Sequence, residues 1–161
     1  MRKFLARLVC MFVFPAKKRK KIRNRLLGRP EHPFKVGRHS YVNDGTFAIS
    51  PDTEIGAFCS IGVDVILGPS QHPTDWLTTH PFPYQIDKKL PNVEYRQKTF
   101  ASIRPVKIGA DVWIGDRAIV MDGLTVGDGA IVAANAVVTK DVPAGEVWCG
   151  NPAQFVKKTD R

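Results

Sequence analysis

Residues 108–153 read IGADVWIGDRAIVMDGLTVGDGAIVAANAVVTKDVPAGEVWCGNPA, and an aliphatic side chain returns at every sixth position: Ile108, Ile114, Val120, Val126, Val132 and Val138. Four places after each anchor comes a small or apolar residue: Val112, Ala118, Leu124, Ala130, Ala136 and Val142. A helix repeats every 3.6 residues and a strand every two, so a period of six belongs to neither. It is the period of a solenoid. A short strand and a tight turn fill each hexad, and Gly109, Gly115 and Gly127, directly after their anchors, suit places where neighbouring backbone comes close. If the first and fifth positions both point inward, three hexads close a triangular coil, and stacked coils pair their edges in parallel around a continuous core.

The same phase recurs upstream at Ile55, Ile61 and Leu67, each followed by glycine (Gly56, Gly62, Gly68), with Cys59 and Val65 at the inward fifth position. Val36 and Val42 extend it further, and Ile49 continues it after one extra residue. The pattern predicts four to five coils over residues 36–150 and no second domain beside them, which agrees with a length of 161 residues. Between Leu67 and Ile108 the period is suspended. That stretch contains Pro69, Pro73, Pro81, Pro83, Pro91 and Pro105 together with Trp76, Phe82, Tyr84, Tyr95 and Phe100. A long loop in a compact domain is usually functional or disordered, and this one is too aromatic for a disordered linker. It is expected to be an ordered arm, protruding over about residues 69–105, that packs against a neighbouring subunit.

The formal charge of +9 is not spread along the chain. Residues 1–29 hold eleven Lys or Arg and no acid, which leaves thirteen bases against fifteen acids in the remainder, a balance of −2. Phe4, Leu5, Leu8, Val9, Phe12 and Val13 line one face of a helix that Pro15 interrupts, and Ile22, Leu26 and Leu27 line a second short one ending at Gly28. Residues 1–30 are thus expected to form basic amphipathic helices. The apolar run from Leu8 to Phe14 is far short of the about 20 residues that span a bilayer, and it leads into a cationic run without a small-residue cleavage site. Two readings stand for this segment: an in-plane anchor on anionic lipid, or a helical arm with solvated lysines. No aromatic residues are interleaved with the cations, which argues against nucleic acid. Cys10, Cys59 and Cys149 are odd in number and widely spaced, which favours reduced thiols in a cytoplasmic compartment.

Residues 108–153 resemble the C-terminal half of the hexapeptide-repeat acetyltransferases, and IGAFCSIGVDVILGPSQHPTDWLTTHPF, residues 55–82, resembles the branch holding the xenobiotic, chloramphenicol-type acetyltransferases and related sugar O-acetyltransferases. The resemblance covers roughly residues 36–157. It implies an all-β fold, a left-handed parallel β-helix, making residues 31–161 one acetyltransferase domain. It also implies a homotrimer with active sites between subunits, and acetyl-CoA as donor with no metal.

Acetyl transfer needs a group that takes the proton from an attacking hydroxyl or amine, and histidine is the usual side chain for it. His72 stands at the root of the arm, where the resemblance puts the family's catalytic histidine; it is the expected general base. Asn43 in YVNDGT matches an Asn that reaches acceptor or donor in relatives, although it would equally stabilise a solenoid turn. Asp75 is expected either to steer the imidazole tautomer or to hold an acceptor hydroxyl, or else to cap a turn, and Trp76 beside it is grouped with the acceptor. Trp113 takes the outward sixth position of its hexad, and an exposed indole usually covers something. The resemblance lays it along the pantetheine arm, with Asp116, Ala134, Thr139 and Lys140 at positions that touch CoA. Lys140 suits a phosphate as a point charge. Relatives often carry Ser where Asp116 stands and Arg where Gln154 stands, so the adenosine end is expected to rest on Lys140 and Lys157.

The reading is therefore an O-acetyltransferase using His72 in direct transfer, its acceptor a sugar hydroxyl of a surface-polysaccharide precursor. Its site is cytoplasmic or peripheral on the inner membrane face through residues 1–29. Alternatives on the same fold are a drug acetyltransferase, an amino-sugar N-acetyltransferase, a zinc hydratase of γ-carbonic-anhydrase type drawing on His39, His72 and His80, and a non-catalytic scaffold.

Overall fold

The computed structural model describes residues 33–85, 91 and 96–160. Phe34–Arg161 forms one compact unit. The basic helices expected in residues 1–30, and the membrane contact expected of residues 1–29, lie outside the described residues.

Twelve two-residue strands carry the repeat. They are β1 (Lys35–Val36), β2 (Tyr41–Val42), β3 (Phe47–Ala48), β4 (Glu54–Ile55), β5 (Ser60–Ile61), β6 (Ile66–Leu67), β7 (Lys107–Ile108), β8 (Trp113–Ile114), β9 (Ile119–Val120), β10 (Thr125–Val126), β11 (Ile131–Val132) and β12 (Val137–Val138). They fall into three parallel sheets, β1-β4-β7-β10 on a first face, β2-β5-β8-β11 on a second and β3-β6-β9-β12 on a third. At three strands to a coil the twelve make four coils. A fifth starts where Val142 bridges Val126 and continues through β13 (Glu146–Cys149), against which β14 (Gln154–Lys158) turns back antiparallel. Among the described residues no strand falls between β6 and β7, which is the interval of the arm.

Within each strand the second residue points inward. Ile61, Leu67, Ile114, Val120, Val126, Val132 and Val138 are fully buried, and so are Cys59, Val65, Ala118, Ala130 and Ala136 at the fifth positions. Identical phases stack: Ile61 and Val132 both register with Ile114. Side chains of the same size in the same column fill a narrow prism without voids. Coils are joined by backbone bonds such as Gly62 N–H to Ile114 O at 2.9 Å and Gly115 N–H to Val132 O at 2.8 Å. A Cβ on Gly115 would lie 2.4 Å from Ala134 N in the next coil, so close approach is what the glycine after the anchor permits.

Two local features lie beyond what the repeat predicts. At these corners the residue that reverses the turn is the third one after the anchor: His39, Phe58 and Asp111 at the first corner, and Asp64, Arg117 and Asn135 at the second, all with φ between 55° and 62°. Asp and Asn adopt this left-handed conformation readily, whereas Phe58 and Arg117 are held in it by the stacked turns above and below. The second departure is in the first coil. Ala48, not Ile49, keeps the inward phase, pairing with Leu67, while Ile49 is 37% exposed. The extra residue belongs to the turn of residues 49–53, and the small Ala48 was hidden by the larger aliphatic beside it.

The outer faces differ in character. The first shows Lys35, Glu54, Lys107 and Thr125, with a Lys35–Glu54 ion pair at 2.5 Å. The second shows Tyr41, Ser60, Trp113 and Ile131, and the third shows Phe47, Ile66, Ile119 and Val137. Two sides of the prism are therefore largely apolar outside as well as inside.

Candidate active site

His72 follows β6 by five residues, past the glycine and proline at which the chain leaves the third corner. Its ring is exposed, and Nδ1 lies 2.8 Å from the carbonyl oxygen of Thr79 and 3.0 Å from Tyr84 Oη. A carbonyl only accepts, so the Nδ1 proton points at Thr79, and Nε2 keeps its lone pair as the basic nitrogen. The Tyr84 oxygen is a second acceptor for the same proton. The loop is held in this shape by backbone bonds from Tyr84 N–H and Gln85 N–H to Pro81 O, and from Lys98 N–H to Pro83 O. Trp76 packs edge to face on Tyr84 and Phe100, with centroids 5.9 and 5.7 Å apart, Tyr84 and Phe100 lie tilted to each other at 5.2 Å, and Lys98 Nζ sits 4.5 Å above the Trp76 ring. Trp76 thus belongs to the aromatic cluster that backs the histidine, and the arm is ordered at its root.

Asp75 is exposed and makes no hydrogen bond or ion pair with His72 among the described residues; the Thr79 carbonyl does the tautomer steering instead. Thr79 and Tyr84 were not singled out by the sequence for this role. A backbone carbonyl has no sequence signature, and Tyr84 read only as one aromatic of the arm.

The remaining candidates fall at separate places. Trp113 is 54% exposed on the outer face of β8, as its phase requires. The second corner carries Asn43 in the first coil, Asp116 in the third and Ala134 in the fourth; Asp116 and Ala134 share the second place after their anchors, whereas Asn43 takes the first place, in line with Gly62 and Gly115. Asn43 contributes its backbone to this corner, donating to Ile61 O at 3.1 Å and accepting from Thr46 N–H at 3.4 Å. One carboxylate oxygen of Asp116 already accepts from Val63 N–H at 2.8 Å, which ties two coils together. Thr139 and Lys140 are exposed on the third corner, two coils beyond the exit of the arm. Lys140 Nζ lies 5.2 Å from the ring of Trp148, a buried indole whose Nε1–H donates to Glu146. Lys157, on β14, is 3.7 Å from Asp160. A single chain therefore brings Trp113, Asp116 and Ala134 to one edge and places His72, Thr139 and Lys140 along the next.

Among the described residues no group of three or more His, Cys, Asp or Glu is placed to hold a metal ion. His39 stacks on Phe58 with centroids 5.0 Å apart, and His80 Nδ1 accepts from Phe82 N–H at 3.2 Å.

Residues 105–140 match the family model described as bacterial transferase hexapeptide, six repeats. A chloramphenicol acetyltransferase of Klebsiella aerogenes is 35% identical over 142 residues, 77% of this chain and 67% of that protein. The crystal structure of the polySia-specific acetyltransferase NeuO is similar at 27% identity and a TM-score of 0.57, covering 76% of this chain and 50% of that one. A hexapeptide-repeat acetyltransferase of Vibrio cholerae, solved with acetyl coenzyme A, shares the fold at 22% identity and a TM-score of 0.64, covering 99% and 86%. The chain spans about half to two thirds of the length of the curated relatives it matches. The six-residue period, the three-sided coil and an identity of 35% across two thirds of a relative together say what this chain is: it belongs to the hexapeptide-repeat acetyltransferases, and its solenoid is a left-handed parallel β-helix.

Proposed function

We propose that the protein is an acetyl-CoA-dependent O-acetyltransferase in which His72 is the general base. The observation that carries this reading is the His72–Thr79 contact, which engages Nδ1 and leaves Nε2 as the nitrogen open to an acceptor at the root of an ordered arm. Nε2 takes the proton of an acceptor hydroxyl as its oxygen attacks the thioester carbonyl. The tetrahedral intermediate then collapses with cleavage of the carbon–sulfur bond, and the imidazolium returns the proton to the departing CoA thiolate. No acyl-enzyme is required when donor and acceptor are held side by side.

The donor would lie along the second and third corners, with Trp113 and Ala134 on the pantetheine and Thr139, Lys140 and Lys157 toward the phosphates. Asp116 would contribute mainly through the turn it secures. A homotrimer is supported by the apolar outer surfaces of the second and third faces and by Leu77, wholly exposed in the single chain. It is supported too by the separation of His72 from Asn43 and Trp113 within one subunit, which a second copy would close. The acceptor proposed is a sugar hydroxyl of a surface-polysaccharide precursor, met by Asn43, Asp75 and Trp76. The protein would act in the cytoplasm, with residues 1–29 in peripheral contact with the inner membrane face. A drug acceptor is the second reading, favoured by the 35% identity to a chloramphenicol acetyltransferase.

The test is CoA release from acetyl-CoA with sugar nucleotides, polysaccharide precursors, chloramphenicol and streptogramins as acceptors. Turnover above hydrolysis that vanishes in His72→Ala is expected. Hydrolysis alone with every acceptor, unchanged in His72→Ala, would sink the enzyme reading.

A further inference from the structure

Asp122 lies on the third corner between β9 and β10, and its side chain is completely buried although it carries a carboxylate. Its two oxygens hold the two ends of the arm. Oδ1 accepts from Gln71 Nε2, where the arm departs, and Oδ2 accepts from Arg104 Nε at 2.8 Å, where the arm returns. The same two ends meet directly, Gln71 N–H donating to Ser102 O at 3.0 Å. The Arg104 side chain crosses Gly123, where a Cβ would stand 3.0 Å from Nε, so the turn leaves room for the guanidinium to reach inward.

A buried carboxylate is costly unless paired and hydrogen-bonded, and here both oxygens are used on the arm rather than on the turn that carries them. The turn itself is secured by backbone. Gly68 N–H bonds Val120 O at 2.8 Å on one side, and Met121 N–H bonds Val138 O at 3.0 Å on the other. Asp122 thus sits in the coil between the one the arm leaves and the one bearing Thr139 and Lys140. Gln71 adjoins His72 in the chain, so clamping Gln71 fixes where the imidazole stands relative to that coil.

We propose that Asp122 is a positioning residue, a latch that closes the neck of the arm by gripping Gln71 and Arg104 together and so sets the place of His72. This rests on the acetyltransferase reading. In Asp122→Ala both feet of the arm are released while the backbone ladder of the solenoid is kept. The catalytic geometry is then blurred, and an error on the order of 1 Å in such a geometry costs about 100-fold.

The experiment combines kinetics with hydrogen exchange on the full chain. In Asp122→Ala, kcat for acetyl transfer should fall by about 10- to 100-fold with KM for acetyl-CoA within about twofold. Amides of residues 71–84 and 96–104 should exchange faster, and those of β8 and β11 should not. Asp122→Asn, which keeps one carbonyl oxygen, should recover part of the loss. In a His72→Ala background, Asp122→Ala should change the residual rate no further, because its effect passes through His72. Unchanged kcat and unchanged exchange in the arm would overturn the latch. So would a loss fully additive with His72→Ala, or faster exchange throughout the solenoid, either of which marks Asp122 as structural only. If Asp122→Ala does not fold, Gln71→Ala and Arg104→Ala cut the same bonds from the outer side, and wild-type kcat and arm exchange in both would overturn the proposal. A wild-type protein without acetyl transfer would remove the enzyme reading, and with it the role given to His72. The exchange comparison would still decide whether Asp122 closes the arm.

Discussion

Nδ1 of His72 and the carbonyl oxygen of Thr79, seven residues apart in the chain, meet at 2.8 Å across the first bend of the arm. That contact fixes which nitrogen is basic, and it survives any side-chain change at Thr79 because the acceptor is backbone. His72→Ala should therefore lower acetyl transfer by about 100- to 10,000-fold. The ring is exposed and packs nothing in the core, so thermal unfolding should be little altered. Thr79→Ala should leave transfer near wild type. Steady-state rates beside a melting curve check all three statements.

Tyr84 adds its phenol oxygen 3.0 Å from the same nitrogen. In the proposed mechanism Nε2 would take up the acceptor's proton, and a second oxygen near Nδ1–H would stabilise the resulting cation. Tyr84→Phe keeps the packing on Trp76 and Phe100 and removes only that oxygen. A single hydrogen bond of about 0.5–1.5 kcal/mol corresponds to a loss of roughly 2- to 10-fold in kcat, with KM for acetyl-CoA unchanged. A larger loss would mean that Tyr84 touches the reacting atoms.

Gly115 lies where two stacked coils come too close for any side chain, with Ala134 N 2.4 Å from the place a Cβ would occupy. Neither partner is flexible, so Gly115→Ala must part the coils at the second corner. Core and backbone strain of this kind costs about 1–3 kcal/mol. The displaced turn is the one carrying Asp116 and facing Ala134, so donor affinity should fall with stability. Denaturant unfolding and KM for acetyl-CoA should move together in this variant, and in Trp113→Ala, on the exposed face of β8, KM should rise with stability unchanged.

Cys59 and Cys149 should react very differently. Cys59 is buried in the core with Sγ 3.0 Å from Gly109 O, and desolvation raises its pKa above the usual 9.0, partly offset by hydrogen bonds from the Val112 backbone and the Ser40 side chain. Cys149 is exposed at the end of β13. An alkylating reagent should modify Cys149 in the native protein and Cys59 only after unfolding, with Cys59 still protected as the pH rises past 9, where an ordinary thiol ionises. Above about pH 9 the folded state holds a proton that the unfolded thiol releases, so this group's contribution to stability is present below that pH and declines above it. Peptide mapping after labelling checks the order of reaction.

The anchors at Ile61, Ile114 and Val132 were legible in the sequence because each inward column of the prism admits one kind of side chain, and the three columns are visited in turn, one per hexad. The same rule made Trp113 readable as outward-facing. It failed at Ile49, because an inserted turn residue sets a larger aliphatic beside Ala48, which keeps the register. It was silent on the left-handed residues, since Phe58 and Arg117 have no local reason to adopt that conformation and are held in it by neighbouring coils.

In the site the division follows range. His72 could be chosen from its chemistry and its place at the break in the period, but its basic nitrogen is decided by the Thr79 carbonyl, and its position by the grip of Asp122 on Gln71 and Arg104. Those bonds span 51 and 18 residues in the latch and end on backbone in the other case, and no spacing in the sequence encodes either. The repeat alone determined the coil, because each hexad needs only its neighbours one coil away. Where the arm stands required the tertiary structure, because a loop without a period finds its place only through the few polar contacts that the finished coils present to it.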